Sequence, residues 1–146
     1  MAPELCAALL SWAVTLSGYP HPGQCPEVIA VDHPTIEKLA CTGRKCKVLG
    51  WYPGSGDKVY LDVAMDKNLS TSVYATSILV HELVHYLQWK NGKLENFNCE
   101  VALWAEREAY KVQRSYMDAF GTYVPIGQAL TSFTCPASSL AHSPAE

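Results

Sequence analysis

Residues 72–92 read SVYATSILVHELVHYLQWKNG, and this stretch decides the fold of the chain. Apolar residues lie before, within and after its polar centre, so a helix here is mostly buried. The helical pattern starts at Ser70 or Ser72 and runs to Asn91. Gly92 then supplies the residue type at which helices commonly end. We therefore predict one long, buried helix as the centre of the fold.

The segment His81–His85 has the pattern His-Glu-x-x-His and lies inside this helix. Two residues four apart share a helix face and lie about 6 Å apart along the axis, so His81 and His85 can reach one tetrahedral Zn²⁺. Glu82 can face the fourth metal position, where it takes a proton from a zinc-activated water and passes it to a leaving group. The alternative is that both histidines are ordinary hydrogen-bonded core residues.

A zinc hydrolase of this kind needs a third protein ligand and keeps one position open. The only histidine after the motif is His142, near the end of the sequence, so we expect a carboxylate from the next long helix. Glu106 is the predicted ligand, because its neighbours one turn away are inward-facing types and Ala109 lets the two helices approach closely. Glu108 is the alternative ligand, whereas Glu100 begins the helix and is expected to interact with its dipole.

Three further side chains are expected to support this site. Gln88 and Gln113 lie on the metal-facing sides of their helices, where they can hold the second ring nitrogen of a ligating histidine. The alternative is that both are ordinary surface glutamines. Tyr110, one turn after Glu106, can donate its hydroxyl to the oxyanion that develops during hydrolysis, although a tyrosine at this spacing is more often a core residue.

The rest of the chain predicts short elements around two long helices. They are expected at Leu5–Leu16 (helix), Val28–Val31 (strand), Thr35–Ala40 (short helix), Lys47–Tyr52 and Lys58–Val63 (a hairpin), Asn98–Phe120 (the second long helix) and Pro125–Phe133 (short helix). The alternative for the first of these is that Cys6–Leu16 is the hydrophobic region of a signal peptide. We expect the strand Lys58–Val63 to be the sheet edge beside the active site, where an extended peptide can pair with it. The predicted fold is α+β, with a small sheet packed on two long helices and an N-terminal helix.

Length and composition limit the function. With 146 residues the chain is one domain, which we place at residues 1–136, followed by a flexible tail at 137–146. Hydrophobic residues make up 49% and charged residues 17%, which allows a packed core and excludes a disordered chain. The net charge is −3 and the basic residues are dispersed, so we expect no nucleic-acid partner. The longest apolar stretch is too short to span a bilayer. We also expect the protein to be a monomer.

Six cysteines form an even set, which permits three disulfides. Cys41 and Cys46 flank a short turn and are the predicted local pair. Alternatively they are two zinc ligands, although no second pair with zinc-site spacing accompanies them. Disulfides indicate a periplasmic or secreted protein. The lack of a clear signal peptide indicates the cytoplasm instead, and both interpretations stay open.

The segment His81–His85 followed by Glu106-x-x-Ala109 resembles the arrangement of gluzincins, which carry His-Glu-x-x-His on one helix and a glutamate ligand on a later one. More closely, the chain is similar to an uncharacterised family of small bacterial zincin-like proteins. This similarity covers most of residues 12–117. It comprises Ser17–Pro20, Cys41-x4-Cys46, Val59–Leu61, Ser77–Gln88, Cys99–Glu100 and Arg107–Gln113. The resemblance implies a metallopeptidase-like fold and supplies no substrate.

These observations predict a zinc metallopeptidase with one Zn²⁺ per chain. His81, His85 and Glu106 would hold the metal, and Glu82 would act as general base while a zinc-activated water attacks a peptide carbonyl. The partner of such an enzyme is a peptide or protein substrate. The alternative is a zincin-like domain that binds metal or a protein partner without turnover, because a chain this short has little sequence for a second lobe. Hydrolysis of a non-peptide amide or ester would use the same residues.

Overall fold

The computed structural model describes residues 1–137 and shows an α+β fold, as predicted. Its helices and strands, in chain order, are α1 (Pro3–Ser17), β1 (Glu27–Val31), α2 (His33–Cys41), β2 (Gly50–Trp51), β3 (Lys58–Asp62), α3 (Val63–Asp66), α4 (Val73–Lys90) and α5 (Cys99–Ala119). A short 3-10 helix at Gln128–Leu130 follows α5. The predicted tail lies outside the described residues, apart from residue 137.

Helix α4 is the centre of the fold. Its N-cap is Ser72, whose side chain accepts a hydrogen bond from the Ala75 N–H. The helix ends at Lys90, and Gly92 follows with φ of +70°, a conformation that glycine adopts without strain. All but one of the residues from Ala75 to Gln88 are buried, because α1, α5 and the sheet all pack on this helix. The prediction of a long, buried central helix is confirmed.

Helix α5 runs back along α4 in the opposite direction. The side chain of Asn98 caps its start by accepting a backbone N–H of the first turn, as the sequence predicts. At one end of the helix pair Ser77 contacts Gln113, and at the other Gln88 contacts Ala105. Residue numbers therefore rise along α4 while they fall along α5. This antiparallel packing brings the middle of α5 across the His-Glu-x-x-His motif.

The sheet has the strand order β1-β3-β2. Strands β2 and β3 form the predicted antiparallel hairpin, with Trp51 opposite Tyr60. Strand β1 lies parallel to β3, with Val28 opposite Val59. The prediction that the Lys58–Val63 strand forms the sheet edge is wrong, because β1 pairs with its other side and makes it the central strand. The edge strand that contacts α4 is β2.

Three shorter elements also differ from prediction. The strand expected at Lys47–Tyr52 is reduced to the two residues of β2, and the helix expected at Pro125–Phe133 is reduced to the 3-10 turn. Helix α3 was not predicted. It forms because the Asp62 side chain, at the end of β3, accepts the Ala64 N–H and caps a new turn of helix.

Three disulfides use all six cysteines: Cys6–Cys25, Cys41–Cys46 and Cys99–Cys135. The predicted local pair is confirmed, and in the structure its sulfur atoms are not zinc ligands. The first bridge ties α1 to the segment before β1, and the third ties the start of α5 to the segment after the 3-10 helix. Disulfides of this kind are typical of proteins in oxidising compartments. Within residues 1–137, the helices are all too short or too polar to cross a membrane.

His33, at the start of α2, connects three segments of the chain. Its Nδ1 lies 2.7 Å from Asp62 Oδ2, and its Nε2 lies 2.9 Å from the carbonyl oxygen of Cys46. Both ring nitrogens therefore face acceptors, which favours the doubly protonated ring. The hydrogen bond to Asp62, followed by that to Cys46, raises the pKa of His33 above its ordinary value.

This raised pKa predicts a pH-dependent contribution to stability. The folded state binds the proton more tightly than the unfolded chain, so the contribution is full below about pH 6.5 and is lost as pH rises through the higher folded-state pKa. The effect is small because the His33 side chain is 38% exposed. We expect the difference in melting temperature between wild type and His33→Gln to shrink as pH rises above about 6.5, measured by circular dichroism. A constant difference across that window would contradict this assignment.

Candidate metal centre

His81, His85 and Glu106 form one buried group between α4 and α5. Each offers one ligand atom, and these atoms all lie within 4.8 Å of one another. His81 Nε2 is 3.3 Å from Glu106 Oε1, and His85 Nε2 contacts the same oxygen. The three residues are only 3%, 7% and 4% exposed, respectively. The sequence prediction therefore identified three residues that the fold brings together at a point where they could hold a metal ion.

The positions of these side chains follow from the two helices. The four-residue spacing places both histidines on the α4 face that meets α5. On α5 the residues around Glu106 that face inward are small and buried, namely Ala102, Ala105 and Ala109. Small side chains let two helix backbones approach closely, so a glutamate at this position reaches the histidines of α4.

Glu106 is held in its charged form. Burial raises the pKa of its carboxyl, but the charges of His85 and His81, together with their hydrogen bonds, lower the pKa by more. The net pKa lies well below the ordinary value for glutamate. Glu106 is therefore a carboxylate at neutral pH, and a carboxylate this deeply buried needs a positive partner.

Gln88 fixes the orientation of the His85 ring. Its Oε1 lies 2.8 Å from His85 Nδ1, while its Nε2 donates to the Ala105 carbonyl and to Glu108, both at 3.0 Å. Because two acceptors hold the amide nitrogen, the amide oxygen faces the ring and His85 Nδ1 donates to it. The other ring nitrogen, Nε2, is then directed toward Glu106.

Gln113 does the same for His81. Its Oε1 lies 2.9 Å from His81 Nδ1, and its Nε2 donates to Ser77 Oγ at 3.0 Å. The Ser77 hydroxyl donates its own hydrogen bond to the Tyr74 carbonyl oxygen at 2.7 Å, so the Ser77 oxygen accepts the hydrogen bond from Gln113. Both predicted supporting glutamines thus contact the histidines, and both are buried rather than on the surface.

This donor set fits a divalent metal ion. Two imidazole nitrogens and one carboxylate are a common set of three protein ligands in catalytic metal sites. With both Nδ1 atoms donating to glutamines, the two Nε2 atoms face the Glu106 carboxylate, and in the neutral form of each ring Nε2 is an acceptor that can bind a metal ion. Acceptors that face one another need a cation or a shared proton between them. The chemistry of these residues therefore allows the group to hold a metal ion.

Glu108, the alternative third ligand, lies outside this group. Its Oε1 accepts hydrogen bonds from the Tyr19 hydroxyl at 2.6 Å and from Gln88 Nε2. Burial, and secondly the hydrogen bond to Glu108, raises the pKa of Tyr19, so the phenol keeps its proton and remains a donor. A hydrogen-bonded chain thus runs from Tyr19 through Glu108 and Gln88 to His85. Tyr19 was missed in the sequence because it lies 89 positions from Glu108. Glu100 lies in the first turn of α5, as expected.

Glu82 lies beside His81 and against β2. Its Oε2 is 4.0 Å from His81 Nε2, and the residue is 2% exposed. Gly50 makes this packing possible, because a Cβ there would lie 3.0 Å from both Glu82 Cγ and Ile78 Cγ2. The edge strand therefore lies directly on the glutamate side chain. The need for glycine at this position arises from a tertiary contact, so no local sequence signal reveals it.

We expect Gly50→Ala to lower the free energy of unfolding by about 1–3 kcal/mol, the usual cost of forcing an extra methyl group into a packed region. Urea denaturation measures this change. Ser55→Ala, in the exposed hairpin loop, is the control and should leave stability unchanged. A Gly50→Ala protein as stable as the wild type would show that strand and glutamate can separate without cost.

Tyr110 packs against the ring of His81. The two ring centroids are 4.5 Å apart, with an angle of 65° between the ring planes. Gly127 packs against the tyrosine, since a Cβ there would lie 2.8 Å from Tyr110 Cγ. The half-buried tyrosine lines a cavity together with His81 and Glu82. Its location beside the group is thus established, while its role as an oxyanion donor stays a prediction.

Replacing Gln113 tests whether the amide supports His81 as a ligand. We expect Gln113→Leu to weaken Zn²⁺ affinity by about 10–100-fold, the usual effect of losing a partner of a ligating histidine. Competition with a chromophoric chelator measures the affinity. Gln24→Leu, the same change at an exposed position, is the control. Unchanged affinity in a folded Gln113→Leu protein would contradict the supporting role.

A family model described as a domain of unknown function (DUF6647) matches residues 1–138 of the chain. No curated protein matches the chain, and no solved structure matches it. The family match spans every described element, from α1 to the 3-10 helix.

Proposed function

The chain belongs to the DUF6647 family, whose description gives no function, and we propose from the geometry of its own site that it is a zinc-dependent peptidase. The observation that carries this proposal is the buried group of His81, His85 and Glu106 with Glu82 directly beside it. A purely structural cluster of two histidines and a glutamate would not require a second buried carboxylate at its edge. Both the position of Glu82 beside the group and the resemblance to gluzincins support a hydrolytic role.

The ligand set favours zinc. Zinc accepts imidazole nitrogen and carboxylate oxygen, and catalytic zinc sites use three protein ligands with one position left open. His81, His85 and Glu106 would hold the ion. When bound there, zinc would polarise the substrate carbonyl and lower the pKa of a water molecule.

Glu82 supplies the general base in this proposal. Its carboxylate lies at the edge of the group, 4.0 Å from His81 Nε2, and does not belong to the three ligands. Attack of water on a peptide carbonyl releases a proton, which Glu82 accepts and then transfers to the nitrogen of the departing amine. Tyr110, across the ring of His81, donates a hydrogen bond to the oxyanion that develops on the substrate carbonyl.

The peptide would dock along β2 rather than along the strand Lys58–Val63, which the sequence predicted. Strand β2 is one of the two edge strands of the sheet, and Gly50 in it packs on Glu82. An extended peptide can add to such an edge through main-chain hydrogen bonds. The bond to be cleaved would then pass in front of Glu82. The three disulfides favour a periplasmic or secreted location for this activity.

Two measurements on the purified, disulfide-bonded protein test the proposal. Elemental analysis by mass spectrometry should find one zinc ion per chain, which a chelator removes. The zinc-loaded protein should cleave members of a broad peptide library, and chelation should stop the cleavage. One bound zinc ion without any cleavage would overturn hydrolysis and leave a metal- or partner-binding domain. A protein that binds no zinc would overturn the metal centre as well.

A further inference from the structure

The most basic stretch of the chain lies just before strand β2. Arg44, Lys45 and Lys47 supply three positive charges within four positions, although the chain as a whole has a net charge of −3. All three residues are exposed. The disulfide between Cys41 and Cys46 closes the turn that carries the first two of them. We call the stretch from Arg44 to Lys47 the basic loop.

The backbone of the basic loop is held in place by the fold. The Arg44 N–H donates to the Cys41 carbonyl at 3.0 Å, and the Cys46 N–H donates to Glu37 Oε2 at 3.0 Å. The Cys46 carbonyl oxygen lies 2.9 Å from His33 Nε2. Cations on a fixed backbone lose less conformational freedom on binding a ligand than cations on a free segment do. The loop therefore presents its charges in a preformed arrangement.

The positive charges of the loop have no acidic partner within residues 1–137. Two carboxylates that contact His33 are used inside the fold. Glu37 accepts the Cys46 N–H and lies 3.5 Å from His33 Nε2, while Asp62 Oδ2 lies 2.7 Å from His33 Nδ1. The salt bridges of this part of the chain include none of the three basic side chains of the loop. These charges are therefore available to a ligand from outside.

Lys47 connects the basic loop to the candidate metal centre. It lines a cavity of about 350 Å³ that also adjoins His81, Glu82 and Tyr110, and it is the only lysine or arginine among the described residues that line this cavity. Gly50, three residues later, lines the same cavity and packs on Glu82. Three residues of chain span at most about 10 Å. A peptide that lies beside Gly50 therefore brings a residue two or three positions away to the basic loop.

We propose that the basic loop selects acidic peptides by binding aspartate or glutamate side chains two or three residues from the bond that lies beside Glu82. The inference rests on the proposed peptidase function for the position of that bond. Three cations in four positions match several side-chain carboxylates better than the single carboxylate of a peptide C-terminus. The negative net charge of the chain and the sheet edge next to the loop favour an acidic peptide over a nucleic acid. Complementary charge speeds the encounter with such a peptide and fixes its register.

Binding measured without turnover tests the basic loop. The probes are N-acetyl-Glu-Glu-Glu-Ala-Ala-Ala-amide, N-acetyl-Ala-Ala-Ala-Glu-Glu-Glu-amide and the same two peptides with Gln in place of Glu. They are titrated by calorimetry into Glu82→Gln protein in the presence of Zn²⁺. At about 20 mM NaCl, one Glu peptide should bind about tenfold tighter than its Gln counterpart, since three exposed ion pairs contribute together. At about 500 mM NaCl the ratio should fall to about threefold or less, because salt screens exposed charges.

Charge reversal shows whether the basic loop causes this preference. The loop variant, in the Glu82→Gln background, reverses its three charges: Arg44→Glu, Lys45→Glu and Lys47→Glu. The control variant, in the same background, reverses three charges at exposed positions that line neither cavity next to the metal centre: Lys67→Glu, Lys93→Glu and Lys111→Glu. Both variants change the net charge equally. The loop variant should bind the Glu peptide no tighter than the Gln peptide, whereas the control should keep a preference of about fivefold or more. Circular dichroism checks that both fold.

Three binding results would overturn the inference. The first is equal affinity for the Glu and Gln peptides at low salt, or no binding of either. The second is a preference that the folded loop variant keeps. The third is an equal gain in affinity when a Gln peptide carries a free C-terminal carboxylate, which would assign the loop to the peptide terminus. Tighter binding of a thymidine oligonucleotide with three phosphates than of the Glu peptide would likewise overturn it, in favour of a nucleic acid.

Cleavage data separate this inference from the proposed function. If the wild type cleaves a peptide library without enriching acidic residues two or three positions from the cleaved bond, acidic selection fails while hydrolysis stands. If the Glu peptide binds selectively but nothing is cleaved, hydrolysis fails while binding of acidic peptides by the basic loop stands.

Discussion

Glu82→Gln is expected to retain one zinc ion per chain and to lower kcat/KM for peptide hydrolysis by about 10²–10⁴-fold. Glutamine has nearly the shape of glutamate, so it keeps the packing against Gly50. The amide cannot accept the proton that the attacking water releases. Because Glu82 is not one of the three residues that could hold the metal, the substitution separates catalysis from metal binding.

Zinc content by elemental analysis and cleavage of a fluorogenic peptide together measure this outcome. Glu100→Gln is the matched control, because it makes the same chemical change at an exposed position in the first turn of α5. Wild-type activity in metal-loaded Glu82→Gln protein would remove Glu82 from the mechanism. Loss of zinc along with activity would show that Glu82 supports the metal instead.

The second large effect is expected for the third ligand. Glu106→Ala should weaken Zn²⁺ affinity by at least about a hundredfold, which is more than the loss of a hydrogen-bonding partner of a ligand usually causes. Glu108→Ala should weaken it by about tenfold or less, because Glu108 acts on His85 only through Gln88. Removing the Glu106 carboxylate takes away the one anionic donor of the group, whereas removing Glu108 leaves all three donors in place.

Chelator competition on both variants measures these affinities, and circular dichroism without metal checks that each variant folds. The two substitutions are a matched pair, since each deletes a glutamate side chain and the two positions are two residues apart on α5. A larger loss for Glu108→Ala than for Glu106→Ala would reverse the assignment of the third ligand. Equal and small losses would contradict the metal centre.

Local sequence signals predicted the elements on which the site stands. The helical pattern around the His-Glu-x-x-His motif, the Asn98 cap and the small residues beside Glu106 were enough to place three residues in one group. Gln88 was also found, because it lies three residues after His85 on the same helix. Gln113 was found because it lies seven residues after Glu106, on the face of α5 that packs on α4. These predictions need the regular geometry of two helices and the short connection that packs one back along the other.

The parts that the sequence did not predict depend on contacts between distant segments. A hairpin has a local signal in its turn, whereas the parallel pairing of β1 with β3 depends on the crossover through α2. The edge strand was therefore assigned to the wrong member of the hairpin. The roles of Gly50 and Tyr19 likewise arise only when α4 meets β2 and when the segment after α1 meets α5.

The burial of α4 would link metal loading to heat resistance. Both histidines lie on a helix whose other sides are covered by α1 and the sheet, so unfolding of the core would separate the ligands and release the ion. An ion held only by the folded state adds stability that grows with its concentration, about 4 kcal/mol at a thousandfold excess over the dissociation constant. If the group holds a metal ion, the occupancy of the site and the melting temperature of the protein are therefore two readouts of one linked equilibrium.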